Sequence, residues 1–340
     1  MTATISVIMA VYNGAALLPE TIASLQAQSF GDWELIAVDD CSQDESVEVL
    51  KAIGDSRIRV IESSRNGGPV VARNRAFAEA RGTYTAALDQ DDIALPERFA
   101  RQVAFLDANS HVVLVSTATR LLTDGRESAG NWPRPLTPGL IDWLMLVQNP
   151  IVWSSVMFRT AAARELMPFE RPEMRYVEDF DFYTRIREHG LLAQIDEELT
   201  LYRVHSGGAS QVFNGTMRDH AEALLARHAP DIAPLLVKHV MARDPVPDGA
   251  TLERLFVGIA RLRAGFEGDA RTLGLVDREI SRLWWRLCRA GVRSGRIALP
   301  QALAGRPEAV PLADGNAADL IVSQVIGGVR AAARGISRTN

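Results

Sequence analysis

Apolar positions in the first 115 residues follow two alternating rhythms. Ile5 to Val11 (ISVIMAV) is an apolar run interrupted only by Ser6, as expected of a strand buried on both faces. Leu17, Leu18, Ile22 and Leu25 then recur at helical spacing to about Gln28. A second strand runs Glu34 to Val38 and closes in Asp39-Asp40, and Asp44 to Ile53 reads as a helix. Arg57 to Ile61 is a third strand. Asn66-Gly67-Gly68-Pro69 opens a helix to about Arg81, with proline near its first turn, where the missing N–H is tolerated. Tyr84 to Leu88 is the next strand. Such alternation predicts an α/β fold, a mostly parallel sheet with helices on both faces.

Beyond residue 115 the pattern loosens. Residues 131–138 form a loop with three prolines, followed by a helix near 139–147 and a strand near 153–158. Glu178 to His189 reads as a helix and Leu199 to Val204 as a strand. From about 215 onward the chain reads as helices with Pro- and Gly-rich breaks, including Asp244 to Gly249. The expected organisation is therefore an α/β domain over 1–214 and a mainly helical region over 215–340.

Composition narrows the function. A net charge of −5 gives no global case for nucleic-acid binding. The charge is uneven: residues 271–340 carry 11 Arg and no Lys against 5 Asp plus Glu, a net of +6 that leaves −11 on the first 270. Cys41 and Cys288 are far apart and match no metal or CxxC spacing, so reduced thiols and a cytoplasmic location are expected. No apolar stretch has the length of a transmembrane helix, and Met1-Thr2-Ala3-Thr4 lacks the features of a signal peptide.

Candidate chemistry gathers where strands end. Leu88-Asp89-Gln90-Asp91-Asp92 places three carboxylates in four residues at the edge where open α/β sheets bind ligands. Hard oxygen ligands suit Mg²⁺ or Mn²⁺ carrying a phosphate-bearing substrate, whereas the plain alternative is an Asp-rich turn. Asp40 could accept from a base or ribose, or cap the neighbouring helix. Asn66 to Asn74 is a glycine loop leading into a helix, and Arg73 offers a planar fork for phosphate. Glu178-Asp179 is either a macrodipole-stabilised helix start or the site of a general base. Tyr202-Arg203-Val204-His205 ends a strand with a cation and an imidazole. Neither GxGxxG nor GxxxxGK[ST] is present, so dinucleotide and P-loop chemistries are unsupported.

Taken in order, these segments resemble family 2 glycosyltransferases of the GT-A fold, over roughly residues 4–210. The resemblance rests on Ile5 to Gly14, Val38 to Asp44, Asn66-Gly67 with Ala72-Arg73-Asn74, Gly82 to Asp92 with Pro96 and Arg98, Glu178-Asp179, and Tyr202 to His205. It implies an inverting, metal-dependent enzyme that moves sugar from a nucleoside-diphosphate sugar, with UDP favoured, to a hydroxyl acceptor. Polysaccharide, lipid-linked glycan or cell-envelope synthesis is the implied setting. Asp40 would contact the base, with Ala10, Tyr12, Asn13, Arg73, Asp89 and Arg203 also facing the nucleotide sugar. Asp91 would ligate Mg²⁺ or Mn²⁺, aided by Asp89 and His205. Asp179 would be the base, supported by Glu178. Ala10 and Cys41 depart from the family's usual residues without removing a reactive group.

Two other readings compete. A sugar-1-phosphate nucleotidyltransferase would require a GxGxR-type loop after the first strand, and Val11-Tyr12-Asn13-Gly14 does not supply one. A non-catalytic sugar-nucleotide-binding subunit would not need both the metal acids and the base. The C-terminal region adds basic amphipathic segments: Arg278 to Arg296 around Leu283-Trp284-Trp285, and Ile321 to Ile336 with Val322, Val325, Ile326, Val329 and Ala333 on one stripe. These helices are expected to pack on the catalytic domain or in a homodimer, or to lie peripherally on the inner face of the cytoplasmic membrane.

Overall fold

The computed structural model describes residues 3–130, 135–205, 207–208 and 214–336. The chain forms two compact units, residues 1–138 with 150–220, and residues 139–149 with 221–340.

The first unit is built on one mixed sheet. Its strands are β1 (Ile5–Val11), β2 (Trp33–Asp39), β3 (Ile58–Glu62), β4 (Tyr84–Ala87), β5 (Ile93–Ala94), β6 (Val112–Thr123), β7 (Arg126–Ala129), β8 (Met157–Arg159) and β9 (Leu191–Val204). The order is β3-β2-β1-β4-β8-β6-β9-β5, with β7 paired to β6. From β3 to β4 every pair is parallel. Then β8 runs antiparallel to both β4 and β6, and β5 antiparallel to β9. The parallel half thus follows the expected alternation, while the second half is mixed. The long β6–β9 pair is parallel and contains register shifts that bend it. Its polar inner residues broke the apolar run on which strand recognition depends: Ser116, Thr117 and Thr200 are buried, and Thr117 Oγ1 lies 3.0 Å from Thr200 Oγ1. Sequence pattern therefore located only Leu199–Val204 of β9.

Helices α1 (Leu18–Gln26), α2 (Ser46–Ala52), α3 (Pro69–Glu79) and α4 (Arg98–Ala108) connect the early strands and close a core of Ile5, Val7, Met9, Leu25, Leu35 and Phe99. Gly82 is required by close approach. A Cβ there would lie 2.6 Å from the Ser6 nitrogen, and Ser6 Oγ accepts from both Arg81 N and Gly82 N. That contact sets the start of β4, and with it the position of Asp89 at the strand's far end.

The second unit is helical. Helices Gly249–Ala264 and Ala270–Arg293 begin at Asp248 and Asp269, whose carboxylates accept from Thr251 N and Thr272 N at 2.7 Å. Trp284, Leu283 and Leu287 of the longer helix are buried, and Trp285 is half-buried. Its Trp-bearing face is therefore core. Residues 139–149 pack here through Leu140, Ile141, Trp143 and Leu144.

Candidate active site

The first strand–helix turn is organised by side chains that hold backbone. Asn13 adopts φ +49° and Cys41 φ +66°. Asn13 Oδ1 accepts from Gln43 N at 2.8 Å, and Asn13 N donates to Ser42 Oγ at 2.9 Å. Gln90, between the acidic residues, reaches back to Tyr12: its Oε1 accepts from Tyr12 N and its Nε2 donates to Tyr12 O. The loops after β1 and β4 are thereby tied together, with Tyr12 45% exposed beside them. Ala10 sits in β1, in register with Val38.

Asp40 is buried, and its two oxygens accept from Gly67 N at 2.8 Å and Gly68 N at 2.7 Å. Each oxygen keeps a second lone pair for a ligand N–H or O–H. Gly68 has φ +87°, and a Cβ on it would lie 2.9 Å from the Arg175 guanidinium carbon. Glycine is needed for both the backbone and the space.

Arg73 is the hub of the site. It is buried on α3, with its guanidinium carbon 5.0 Å from the Trp153 ring centre. Nε donates to Glu170 at 3.0 Å, another nitrogen bonds Glu178, and Nη1 lies 3.5 Å from Asp89 Oδ1. Behind it stands an aromatic wall: Phe77 stacks on Phe169 at 4.1 Å, and Phe182 meets Trp153, Phe158 and Phe169 edge-on. One cation thus faces three carboxylates in an apolar surround. Burial lifts Glu170 to about 8, opposed by Arg73 and reinforced by Glu178. Burial likewise lifts Asp89 to about 6, with Arg73 opposing and Asp91 and Glu178 adding. The Asp89 side chain remains 36% exposed, so a ligand has access to it.

Asp91 Oδ2 lies 2.8 Å from His205 Nε2, and the two side chains are 22% and 34% exposed. Arg203 braces this corner from below. Its backbone N donates to Asp92 Oδ1, its Nε to the Asp91 carbonyl, and its Nη2 to Glu20. Its side chain is therefore engaged with protein groups. Asp92 is buried, its Oδ2 has no hydrogen-bond partner, and burial together with Asp91 and Asp89 raises its carboxyl well above the usual range. Among the described residues no group of three or more His, Cys, Asp or Glu side chains is placed to hold a metal ion. Asp91 and His205 form a carboxylate–imidazole pair, with Asp89 on the same loop.

Glu178 and Asp179 begin the helix Glu178–Ile186. Glu178 is buried against Arg73, whereas Asp179 is half-buried and its Oδ1 accepts from Phe180 N at 2.7 Å. Asp181, fully buried, ties the same turn to Arg185 at 2.7 Å and Arg171 at 3.4 Å. Burial, with Asp179 next in effect, raises the Tyr183 hydroxyl well above its ordinary value, and that hydroxyl has no hydrogen-bond partner. Sequence reasoning missed Glu170, Trp153, Ser154, which receives the Asp89 N–H at 3.0 Å, and Arg175.

The fold has known counterparts. The TarS 1-349 structure from S. aureus in complex with UDP-GlcNAc matches with a TM-score of 0.55 at 17% identity, over 95% of this chain and 90% of that one. The mannosyltransferase PcManGT from Pyrobaculum calidifontis, in complex with GDP-Man and Mn²⁺, matches at 0.55 and 16%, over 97% and 87%. The fold is that of a GT-A glycosyltransferase. The family described as Glycosyl transferase family 2 matches residues 6–167. The putative glycosyltransferase EpsE of Bacillus subtilis is 32% identical over 205 residues, covering 59% of this chain and 72% of the relative. WfaP of Escherichia coli, a UDP-Glc:alpha-D-GlcNAc-diphosphoundecaprenol beta-1,3-glucosyltransferase, is 29% identical over 208 residues, covering 61% and 79%. The chain belongs to glycosyltransferase family 2, and the protein is a glycosyltransferase. That assignment displaces the nucleotidyltransferase and the non-catalytic subunit.

Proposed function

We propose that the protein transfers a sugar, with inversion and with help from Mg²⁺ or Mn²⁺, from a nucleoside-diphosphate sugar to a hydroxyl acceptor. The observation that carries this reading is the Arg73 hub, which joins Asp89 of the acidic loop and Glu178 beside Asp179 in one ion-paired cluster. Donor-side acids and a helix-borne base would then share one site, as a single displacement requires.

Asp40, with the Tyr12–Asn13 turn, receives the base and ribose. Asp91, Asp89 and His205 would hold the divalent ion, which would supply positive charge to the leaving diphosphate. Asp179 accepts the acceptor's hydroxyl proton, and Glu178, fixed by Arg73, orients the turn that carries it. Arg203 keeps the Asp91–Asp92 backbone in place. UDP is favoured as nucleotide. The named activities of relatives such as WfaP support an acceptor in polysaccharide, lipid-linked glycan or cell-envelope synthesis, reached from the cytoplasm.

A thermal-shift panel of UDP-, GDP- and dTDP-sugars, each with and without Mn²⁺, tests the donor. Stabilisation should be specific to one nucleotide and depend on the metal. Equal shifts with EDTA would overturn the metal's part.

A further inference from the structure

Helix Ala317–Ile336 has two apolar faces. One is used within its unit: Leu320 and Ser323 are buried against neighbouring helices. Gly327 fixes the contact, because a Cβ there would lie 2.0 Å from the Val292 carbonyl oxygen. Three polar ties add to it: Gln324 Oε1 accepts from Leu299 N, Arg289 pairs with Asp319, and Arg330 donates to the Arg293 carbonyl. The helix cannot rotate without driving another residue into the Gly327 position.

The opposite face is aliphatic and open. Ile321 is 62% exposed, Val322 51%, Val325 64% and Val329 68%. At about 100° per residue these four fall within an arc of roughly 100°, continued by the exposed Ala332, and no charged residue shares that arc. Soluble proteins rarely leave such a stripe uncovered. Arg278 and Arg293 are exposed on the adjoining helix.

We infer that this face lies on an anionic lipid bilayer, with the Ile321–Val322–Val325–Val329 stripe in the interface. Charge decides between the candidate occupants. Residues 271–340 carry a net +6, so a second copy would set like charges against each other, whereas an anionic surface complements them. The contact is peripheral, because among the described residues no helix is long and apolar enough to cross a membrane. The geometry is that of an in-plane amphipathic helix, anchored by a shallow stripe and strengthened by flanking cations. This inference does not depend on the identity of donor or acceptor.

The test is cosedimentation of the full-length protein with vesicles of phosphatidylcholine containing phosphatidylglycerol, and with phosphatidylcholine alone. The wild type should pellet with the anionic vesicles and weaken as salt rises. The exposed-face variant I321S/V325S/V329S should lose about tenfold or more of that binding while keeping its circular dichroism and melting temperature. Equal binding by variant and wild type overturns the inference, as does failure of the wild type to bind anionic vesicles. A wild-type dimer in light scattering that the variant converts to monomer, with vesicle binding unchanged, would assign the face to a second copy and also overturn it. Should the triple variant unfold, Val325→Asp alone is read by the same criteria.

Discussion

Glu170→Gln isolates the electrostatic tension at the Arg73 hub. With all groups ionised, one guanidinium and three carboxylates would leave net negative charge in an apolar surround. The fold relieves this by holding a proton on Glu170, raised from 4.5 to about 8, chiefly by burial. The native state therefore binds one more proton than the unfolded chain between those values, so stability is full below pH 4.5 and falls as pH climbs toward 8. One proton of difference is worth about 1.4 kcal/mol per pH unit, and across pH 5 to 8 the loss is roughly 3 kcal/mol. Glutamine keeps the acceptor for Arg73 Nε and removes the titration. Urea unfolding of wild type and Glu170→Gln at half-unit pH steps should give curves that converge at low pH and separate steadily above it, the variant gaining relative stability. The differencing matters, because Asp89 and Asp92 also titrate upward and contribute to both proteins alike. Parallel curves across the whole range would refute a protonated, buried Glu170.

Asp91→Ala should abolish metal-dependent donor hydrolysis and cut transfer by roughly 10²–10³-fold or more, read by release of nucleoside diphosphate; retained turnover would remove Asp91 from the metal site. Asp179→Asn should lower kcat by about 10²–10⁴-fold while donor affinity by calorimetry stays near wild type, and a collapse of donor affinity would place Asp179 on the donor side instead. Gly68→Ala, forced into φ +87° and against Arg175, should cost roughly 1–3 kcal/mol in urea unfolding, and a neutral result would show that the Asp40 loop has other conformations open to it.

Local chemistry explains what was legible in the chain. Strands β1, β2 and β4 could be read because burial on both faces demands largely apolar runs, β3 because Ile58 and Val60 alternate with the exposed Arg59, and the loops between them because turns and close approaches demand Gly, Asn and Asp. The acidic loop at Asp89–Asp92 and the Glu178-Asp179 helix start were visible for the same reason: both sit at element boundaries, where charge has a local cause. Strand β6 was missed and β9 only partly visible, because their interior is lined with Ser and Thr, two of which meet across the sheet.

What tertiary structure alone decided is which of these charges face each other. The sequence by itself determined the α/β class of the first unit, the positions of the acidic turns and the basic, helical character of the C-terminus. It contained nothing to show that Arg73 would meet Glu170 and Glu178, 97 and 105 residues further on. Nor did it show that Arg203 would brace the backbone under Asp91, that Trp284 would turn inward, or that Ile321 and Val325 would remain outside. Pattern along a chain reports which residues prefer burial. The partner a buried charge finds depends on how distant elements pack, because that energy arises only when a low-dielectric space has been closed around both groups.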